Sequence, residues 1–417
     1  MASREPSRVH IFLTRLLSPV HAISQTELDE LGEADWHEFA ELVRIHRLAP
    51  MLHWLAQRRS APTLPEAQLQ QWKQAWHQAS VDVMQKQREL VFIHRLLASA
   101  HIPYMALKGA YLSLHAYPLP GLRPMRDLDI LVPPDRALTA FQLLIDAGAT
   151  RIGLFKGDPA ATIASGRNHL PPIRSPNGAC VVELHSRLFH DDEPGVPTGT
   201  RPDLSDDVGF WDRSLVEPLG GEAIRYPAPA DLLLHLIVHA AYDHQFNNGP
   251  LLLSDLAFLL ERHRIDWASF WQLAERMGRL RGAILALRLM ESVWGDHGVE
   301  YPRESVYLVP EAILGDAAEL MTQRDFAARE EIYREQQLAG GTWRGKLRFL
   351  ASRLLRSRID MAAMYGVDPR TARIFLCYPR LWLRLATRSA PDFLRTRRQP
   401  HVRDEFDRIG RVREWLL

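Results

Sequence analysis

The chain has 417 residues, of which 46% are apolar and 24% charged. That balance excludes wholesale disorder, and at roughly 100–200 residues per domain it makes room for two or three units. The net charge is only +1 but unevenly spread: Thr342 to Leu417 holds 18 Lys and Arg against 7 Asp and Glu, leaving 33 against 43 before it.

The opening Met1-Ala-Ser-Arg-Glu-Pro6 and an apolar run broken by Arg15 read as neither a secretory signal nor a transit peptide. Residues 1–100 read as helix throughout. Glu27 to Leu48 and Glu66 to Ala100 carry apolar residues at three- and four-residue spacing, with Trp36, Phe39, Leu42 and Val43 on one stripe. Pro62 and Pro65 punctuate the join. Ile102 to Leu107 is a short apolar run followed at once by Lys108-Gly109, the pattern of a strand ending in a turn. A short helix is expected from Ala110 to Tyr117, inside the longest uncharged stretch of the chain, Gly109 to Leu122. That stretch has 14 residues, and a transmembrane helix needs about 20.

Leu128 to Val132 is a second strand, stopped by Pro133-Pro134, and Asp135 to Ala147 an amphipathic helix closed by Gly148. Cys180 to His185 is a third strand. Asp191 to Glu222, rich in Pro, Gly and Asp, reads as a long loop or inter-domain connection. Helical patterns return over Leu232–Tyr242, Leu251–His263, Trp267–Met277 and Gly282–Trp294. Cys180 and Cys377 are the only cysteines, too few for a disulfide framework or a thiolate zinc site, so a cytoplasmic location is expected. The expected division is a helical region 1–100, an α/β core 101–225, a helical domain 226–341 and a basic helical segment 342–417.

Chemistry concentrates in Met105-Ala-Leu-Lys-Gly109 and Arg123-Pro-Met-Arg-Asp-Leu-Asp-Ile-Leu-Val132. Asp127 and Asp129 are two apart on a strand, so their side chains share a face and repel unless a cation lies between them. Mg²⁺ (or Mn²⁺) favours such oxygen ligands together with substrate phosphates. Glu183 sits between Val182 and Leu184, in a run too apolar to want a charge. If its strand lies beside that of Asp127, a third carboxylate reaches the same site. Three carboxylates around one or two ions suit in-line nucleotidyl transfer. The plainer reading puts Glu183 on an edge strand, facing solvent and pairing with Arg187. Lys108-Gly109 stands where a strand hands over to a helix: Gly lets the backbone approach a phosphate, the next N–H groups point at it, and Lys108 adds a point charge.

These motifs are similar to those of the bacterial nucleotidyltransferase-like proteins within the DNA polymerase β superfamily. The matching stretches are Leu107-Lys-Gly109, Arg123 to Asp129, His169-Leu-Pro-Pro172, Val182-Glu-Leu-His185, His235-Leu-Ile-Val-His239 and Ser254-Asp-Leu256, in that order over roughly residues 30–300. The resemblance implies an α+β fold, a small mixed-sheet nucleotidyltransferase core flanked by N- and C-terminal helical regions. It also implies Asp127 and Asp129 as metal ligands, with Glu183 as the third carboxylate. Where the wider superfamily places Gly-Ser or Gly-Gly-Ser, this chain has Lys108-Gly109 and then Ala110.

His169 follows Gly166-Arg167-Asn168 and is either a base- or phosphate-contacting group or a plain loop histidine. His185 shares a strand face with Glu183 and is placed to assist a metal or phosphate. His235 and His239 are four apart on a helix, with Asp243 continuing the line; Leu236 stands where a zinc-protease glutamate would follow. They are expected to hydrogen-bond Asp255 or to cover the floor of the site. Arg123 and Arg126 flank the carboxylates and would either neutralise a triphosphate or pair with the aspartates to hold the turn.

The expected activity is metal-dependent transfer of NMP from an NTP to a hydroxyl of a protein, a small molecule or RNA, with pyrophosphate released. The alternative is a catalytically degenerate binding or regulatory protein on the same scaffold. The basic 342–417 segment suggests an anionic partner, RNA or anionic lipid. Its arginines (Arg344, Arg348, Arg353, Arg356) otherwise form the solvated face of helices whose apolar stripe is Leu347, Phe349, Leu350, Leu354 and Leu355.

Overall fold

The computed structural model describes residues 8–21, 23–58, 64–152, 158–164, 168–188, 209–302, 309–323, 351, 354–389 and 400–417. The N-terminal region is α1 (Arg8–Leu17), α2 (Gln25–Asp29), α3 (Glu33–Ile45), α4 (Ala49–Ala56) and the long α5 (Glu66–Ser99). The helical stretch expected over Glu27 to Leu48 is therefore two helices, with α4 starting just beyond it. Ser24 and Glu27 close a reciprocal cap on α2, Asp35 accepts the N–H of Gly32 to restart the chain as α3, and Arg47 breaks it again at φ +55°. The aromatic stripe is real: Phe39 is packed edge-on by Phe12 and Trp36 and touches Trp72.

The central sheet comprises β1 (Met105–Ala106), β2 (Asp127–Leu131), β3 (Thr150–Arg151), β4 (Ile173–Arg174) and β5 (Val181–His185), in the order β1-β2-β5-β4-β3. Only β2 and β5 run parallel, so the sheet is mixed, and helices flank it as the α+β expectation requires. Between β1 and β2 the chain makes α6 (Gly109–Tyr111), which runs into a π-helical turn, Leu112–Ala116. Later come α7 (Ala137–Asp146), α8 (Pro159–Ala164) and α9 (Phe210–Arg213).

The loop expected over Asp191 to Glu222 is corrected where it is described. Residues 210–213 are α9, and β6 (Leu215–Leu219) and β7 (Glu222–Tyr226) form a hairpin; residues 191–208 lie outside the described residues. Gly220 and Gly221, at φ +58° and +85°, make the two-residue turn whose twist suits a hairpin. Density of Gly and Pro concealed that pair.

The helices α10 (Pro229–Val238), α11 (Leu251–Arg262), α12 (Trp267–Arg276), α13 (Leu280–Trp294) and α14 (Glu311–Met321) follow. Then come α15 (Arg358–Tyr365), α16 (Cys377–Arg384) and α17 (Pro400–Leu416). One buried apolar cluster runs from Val9 in α1 through the sheet and α10–α14 to Leu416 in α17. Arg411 grips Asp316 with two 2.7 Å hydrogen bonds, and Arg408 pairs with Glu319, so part of the basic segment is held internally. Arg344, Arg348, Arg353, Leu347, Phe349 and Leu350 lie outside the described residues; Leu354 and Leu355 are exposed, so they add nothing to a buried stripe. No helix among the described residues is long and apolar enough to cross a membrane.

One turn sets the position of β2. The carbonyl of Pro120 accepts from Trp76 Nε1 (2.9 Å) and Ser80 Oγ (3.0 Å) of α5. The next residue, Gly121, has φ +80°, and a Cβ there would lie 2.6 Å from the Ser80 backbone nitrogen. Glycine is required on both counts, backbone angle and space.

Candidate active site

The site is built on the parallel pair β2 and β5. Their register sets Asp127 beside Val181, Asp129 beside Glu183 and Leu131 beside His185. Alternation puts Asp127, Asp129, Glu183 and His185 on one face, while Leu128, Ile130, Val182 and Leu184 enter the core on the other. β5 lies between β2 and β4, so Glu183 is on an interior strand and not an edge.

Ligand atoms of Asp129, Glu183 and His185 lie within 4.8 Å of one another. The expected trio was Asp127, Asp129 and Glu183; in the tightest group His185 takes the place of Asp127. Nε2 of His185 is 2.8 Å from Asp129 Oδ1 and 3.9 Å from Glu183 Oε2. Burial lowers the His185 imidazole pKa despite the pull of Asp129. A neutral ring donating Nε2–H to Asp129 meets both facts, and Nδ1 then lies buried with no partner.

Asp127 stands immediately beside this group. Burial, then repulsion from Asp129 and Glu183, raises its carboxyl to about 6, with Lys108 and Arg123 opposing. Asp129 shifts the other way: burial alone would raise it, but Lys108 and the His185 hydrogen bond outweigh burial and hold it well below the usual carboxylate range. Lys108 Nζ is 3.5 Å from Asp129 Oδ2. Three carboxylates against one ammonium leave the cluster about two charges negative, the complement of one divalent cation. Two carboxylates and an imidazole are ligands that Mg²⁺ or Mn²⁺ accepts.

Lys108 and Gly109 do not form the expected cradle of free amides. The N–H of Ala110 donates to Leu107 O and that of Tyr111 to Lys108 O, both at 3.1 Å, and α6 is three residues long. Lys108 itself sits at φ +46°, a strained value for a side chain with a Cβ. Gly109 is explained by packing: a Cβ there would lie 2.5 Å from a guanidinium nitrogen of Arg123.

Arg123 takes neither of the partners expected of it, a triphosphate or the flanking aspartates. Arg123 is half-buried and bidentate on the buried Asp255 of α11, at 2.7 and 2.9 Å, and Tyr117 donates to the same carboxylate at 2.7 Å. It therefore ties the β2 approach to α11. Asp255 takes these partners in place of the His235–His239 stripe expected to hydrogen-bond it. Arg126 is exposed beside Asp127.

His169 pairs with His185 across an isolated bridge, its ring 5.5 Å from that of His185, so the loop histidine does reach the site. His235 is fully buried, and its imidazole is held well below the usual range by burial, then by Lys108, His239 and His185. His239 lies within electrostatic reach of Asp129, where the chain leaves α10 for a π-helical turn, His239–Asp243, and bonds Asp243 at 3.3 Å. Both histidines of this stripe lie within electrostatic reach of Asp129. Single π-turns recur at functional sites.

Sequence reasoning missed Arg47, whose charged neighbours are Arg126, Asp127 and Asp82. A residue in a left-handed break between two helices has no periodicity to reveal it. Tyr117 was missed because its partner is 138 residues away.

A family model described as an uncharacterised nucleotidyltransferase matches residues 32–295, a span that includes every residue of this site. A search of curated proteins finds none that matches.

Proposed function

The chain belongs to that family of uncharacterised nucleotidyltransferases, and from this premise we propose that it transfers NMP from an NTP to a hydroxyl. Asp127, Asp129 and Glu183 would hold a divalent cation, Mg²⁺ or Mn²⁺. The register that sets Asp129 beside Glu183, with Asp127 on the same face, carries the reading. The raised Asp127 carboxyl supports it, since a cluster short of positive charge is one a cation would relieve.

The bound ion would neutralise the triphosphate and lower the pKa of the attacking hydroxyl. The chain's own groups divide the remaining work. His185 holds the Asp129 carboxylate from one oxygen, as partners behind metal ligands do. Lys108 neutralises the other oxygen and would be free to meet a phosphate oxygen if a cation were held by the carboxylates instead. Arg126, with Arg47 beside it, faces solvent where a triphosphate would arrive, and His169 and His185 flank the opposite end of the carboxylate row. In the transfer the acceptor oxygen loses its proton to solvent and bonds to the α-phosphorus, the bond from that phosphorus to the bridging oxygen breaks, and pyrophosphate leaves. The acceptor would be a protein side chain, a small molecule such as a sugar or antibiotic, or an RNA end.

The degenerate-scaffold reading rests on one observation: Lys108 already neutralises Asp129, and the Ala110 and Tyr111 amides are engaged. Calorimetry with ATP, GTP, CTP and UTP, with and without Mg²⁺, separates the two. Metal-dependent binding followed by pyrophosphate release supports transfer; metal-independent binding without turnover supports a binding protein. Turnover that survives Asp127→Asn combined with Asp129→Asn would exclude the proposed metal role.

A further inference from the structure

Residues 354–389 build a small structure of their own around α15 and α16. Met361, Ala362, Ile374, Cys377 and Leu381 form a satellite core with Ala161 of α8, separate from the main one. The buried positions Ile374, Cys377 and Leu381 recur at three and four residues, so this face is satisfied. The opposite face is apolar as well. Leu376 and Leu383 are 71% and 63% exposed, and Phe375 and Trp382, also seven apart, are exposed beside them. Side-chain bonds knit the preceding turn into the same surface. Trp382 Nε1 donates to Leu354 O at 2.9 Å, Tyr378 OH donates to Arg356 O at 2.6 Å, and the Arg358 guanidinium lies over the Phe375 ring. Leu355, 68% exposed, extends the patch from that turn.

The charges on this unit are one-sided. Residues 354–389 contain seven arginines and two acidic residues, Asp360 and Asp368. Arg373, Arg380 and Arg384 are exposed on the same short segment as the apolar stripe. Singly exposed leucines are ordinary in a folded protein, but a row of Leu, Phe and Trp interleaved with arginines on one face is not.

We propose that this face is a membrane-docking surface, which lies flat on the headgroup region of an anionic bilayer. Trp, Phe and Leu enter the boundary between headgroups and acyl chains, and the arginines meet lipid phosphates. RNA is the other anionic partner to weigh. Aromatic rings and arginines suit it, but the most exposed side chains here are leucines, which offer a base neither a ring to stack on nor a hydrogen bond. Burial of leucines in an acyl boundary uses them. This inference is independent of the catalytic reading, since docking requires neither nucleotide nor divalent ion.

The test is co-sedimentation of the full chain, in EDTA, with vesicles of 4:1 phosphatidylcholine to phosphatidylserine and with pure phosphatidylcholine. The unaltered chain should pellet with the anionic vesicles, less with neutral ones, and less at high salt. Leu376→Ser with Leu383→Ser should weaken binding by about tenfold or more, because each leucine loses its transfer into the boundary. Arg380→Gln with Arg384→Gln should weaken it by about thirtyfold, at roughly 1 kcal/mol per arginine. All four side chains point outward, so unchanged far-UV circular dichroism and melting temperature are expected of both variants. No pelleting with anionic vesicles, or equal pelleting of the leucine variant, overturns the proposal. So does binding to single-stranded RNA that depends on the arginines and not the leucines while vesicles are ignored.

Discussion

The ammonium of Lys108 lies 3.5 Å from Oδ2 of Asp129, and it is carried by a backbone held at φ +46°. A long side chain in a left-handed turn costs about 1 kcal/mol or more. The charged pair it makes gives that conformation a purpose: an internal cation sits where three carboxylates would otherwise face one another.

Lys108→Met should therefore destabilise the protein in EDTA by roughly 1–3 kcal/mol, the scale of leaving buried charge without its partner. Added Mg²⁺ or Mn²⁺ should restore more stability to the variant than it adds to the unaltered chain. Thermal melts with and without metal measure this directly. Identical metal responses in the two proteins would mean that Lys108 and a cation do not share a site.

Asp127→Asn should act in the opposite direction on stability. Its carboxyl is raised to about 6 by burial and by two neighbouring carboxylates, so its ionised form at neutral pH opposes folding. Removing the charge should stabilise the metal-free protein by about 1–3 kcal/mol while abolishing nucleotide turnover. Denaturant titration and a pyrophosphate-release assay check the two halves. A less stable Asn variant would show that the Asp127 charge is already compensated.

The Arg123–Asp255 pair should behave as a structural clamp. Arg123→Ala or Asp255→Ala leaves a buried partner charge uncompensated, at a cost of roughly 3–5 kcal/mol. Arg123→Lys should fail nearly as badly, because an ammonium cannot make the bidentate contact. Gly121→Ala should be severe too, since a Cβ would overlap the Ser80 backbone at a positive φ. Urea midpoints settle each case; a mild Arg123→Lys would show that charge alone, without the fork, suffices.

Acid should weaken the fold through His46. Burial is the main cause of its depressed pKa, about 4 against an ordinary 6.5. The unfolded chain thus binds a proton at a pH where the folded one does not. Stability from this group is complete above about 6.5 and is lost progressively as pH falls toward 4, by about 3 kcal/mol in all. His46→Gln should flatten that part of the stability–pH curve. A variant with the same slope as the parent between pH 6.5 and 4 would assign the acid sensitivity elsewhere.

β1, β2, β5, most of the helices and the carboxylates of the site were legible along the chain, because each depends on neighbours a few positions away; β3, β4, the β6–β7 hairpin and Arg47 were not. Asp127 and Asp129 declare themselves by a period of two, and Glu183 and His185 by charge and polarity inside an apolar run. What joined them was not local. His185 reaches Asp129 across 56 positions and Arg123 reaches Asp255 across 132, and no periodicity reports such pairings. The β2–β5 register had to be chosen by burial: a slip of one residue would set Val182 or Leu184 beside Asp129 and turn Glu183 into the core. Tertiary packing also decided that Gly109 makes room for Arg123, that Lys108 meets a carboxylate, and that His185 joins the tightest ligand group. Such outcomes depend on which surfaces meet, a property of the folded chain that short-range patterns of residue type do not encode.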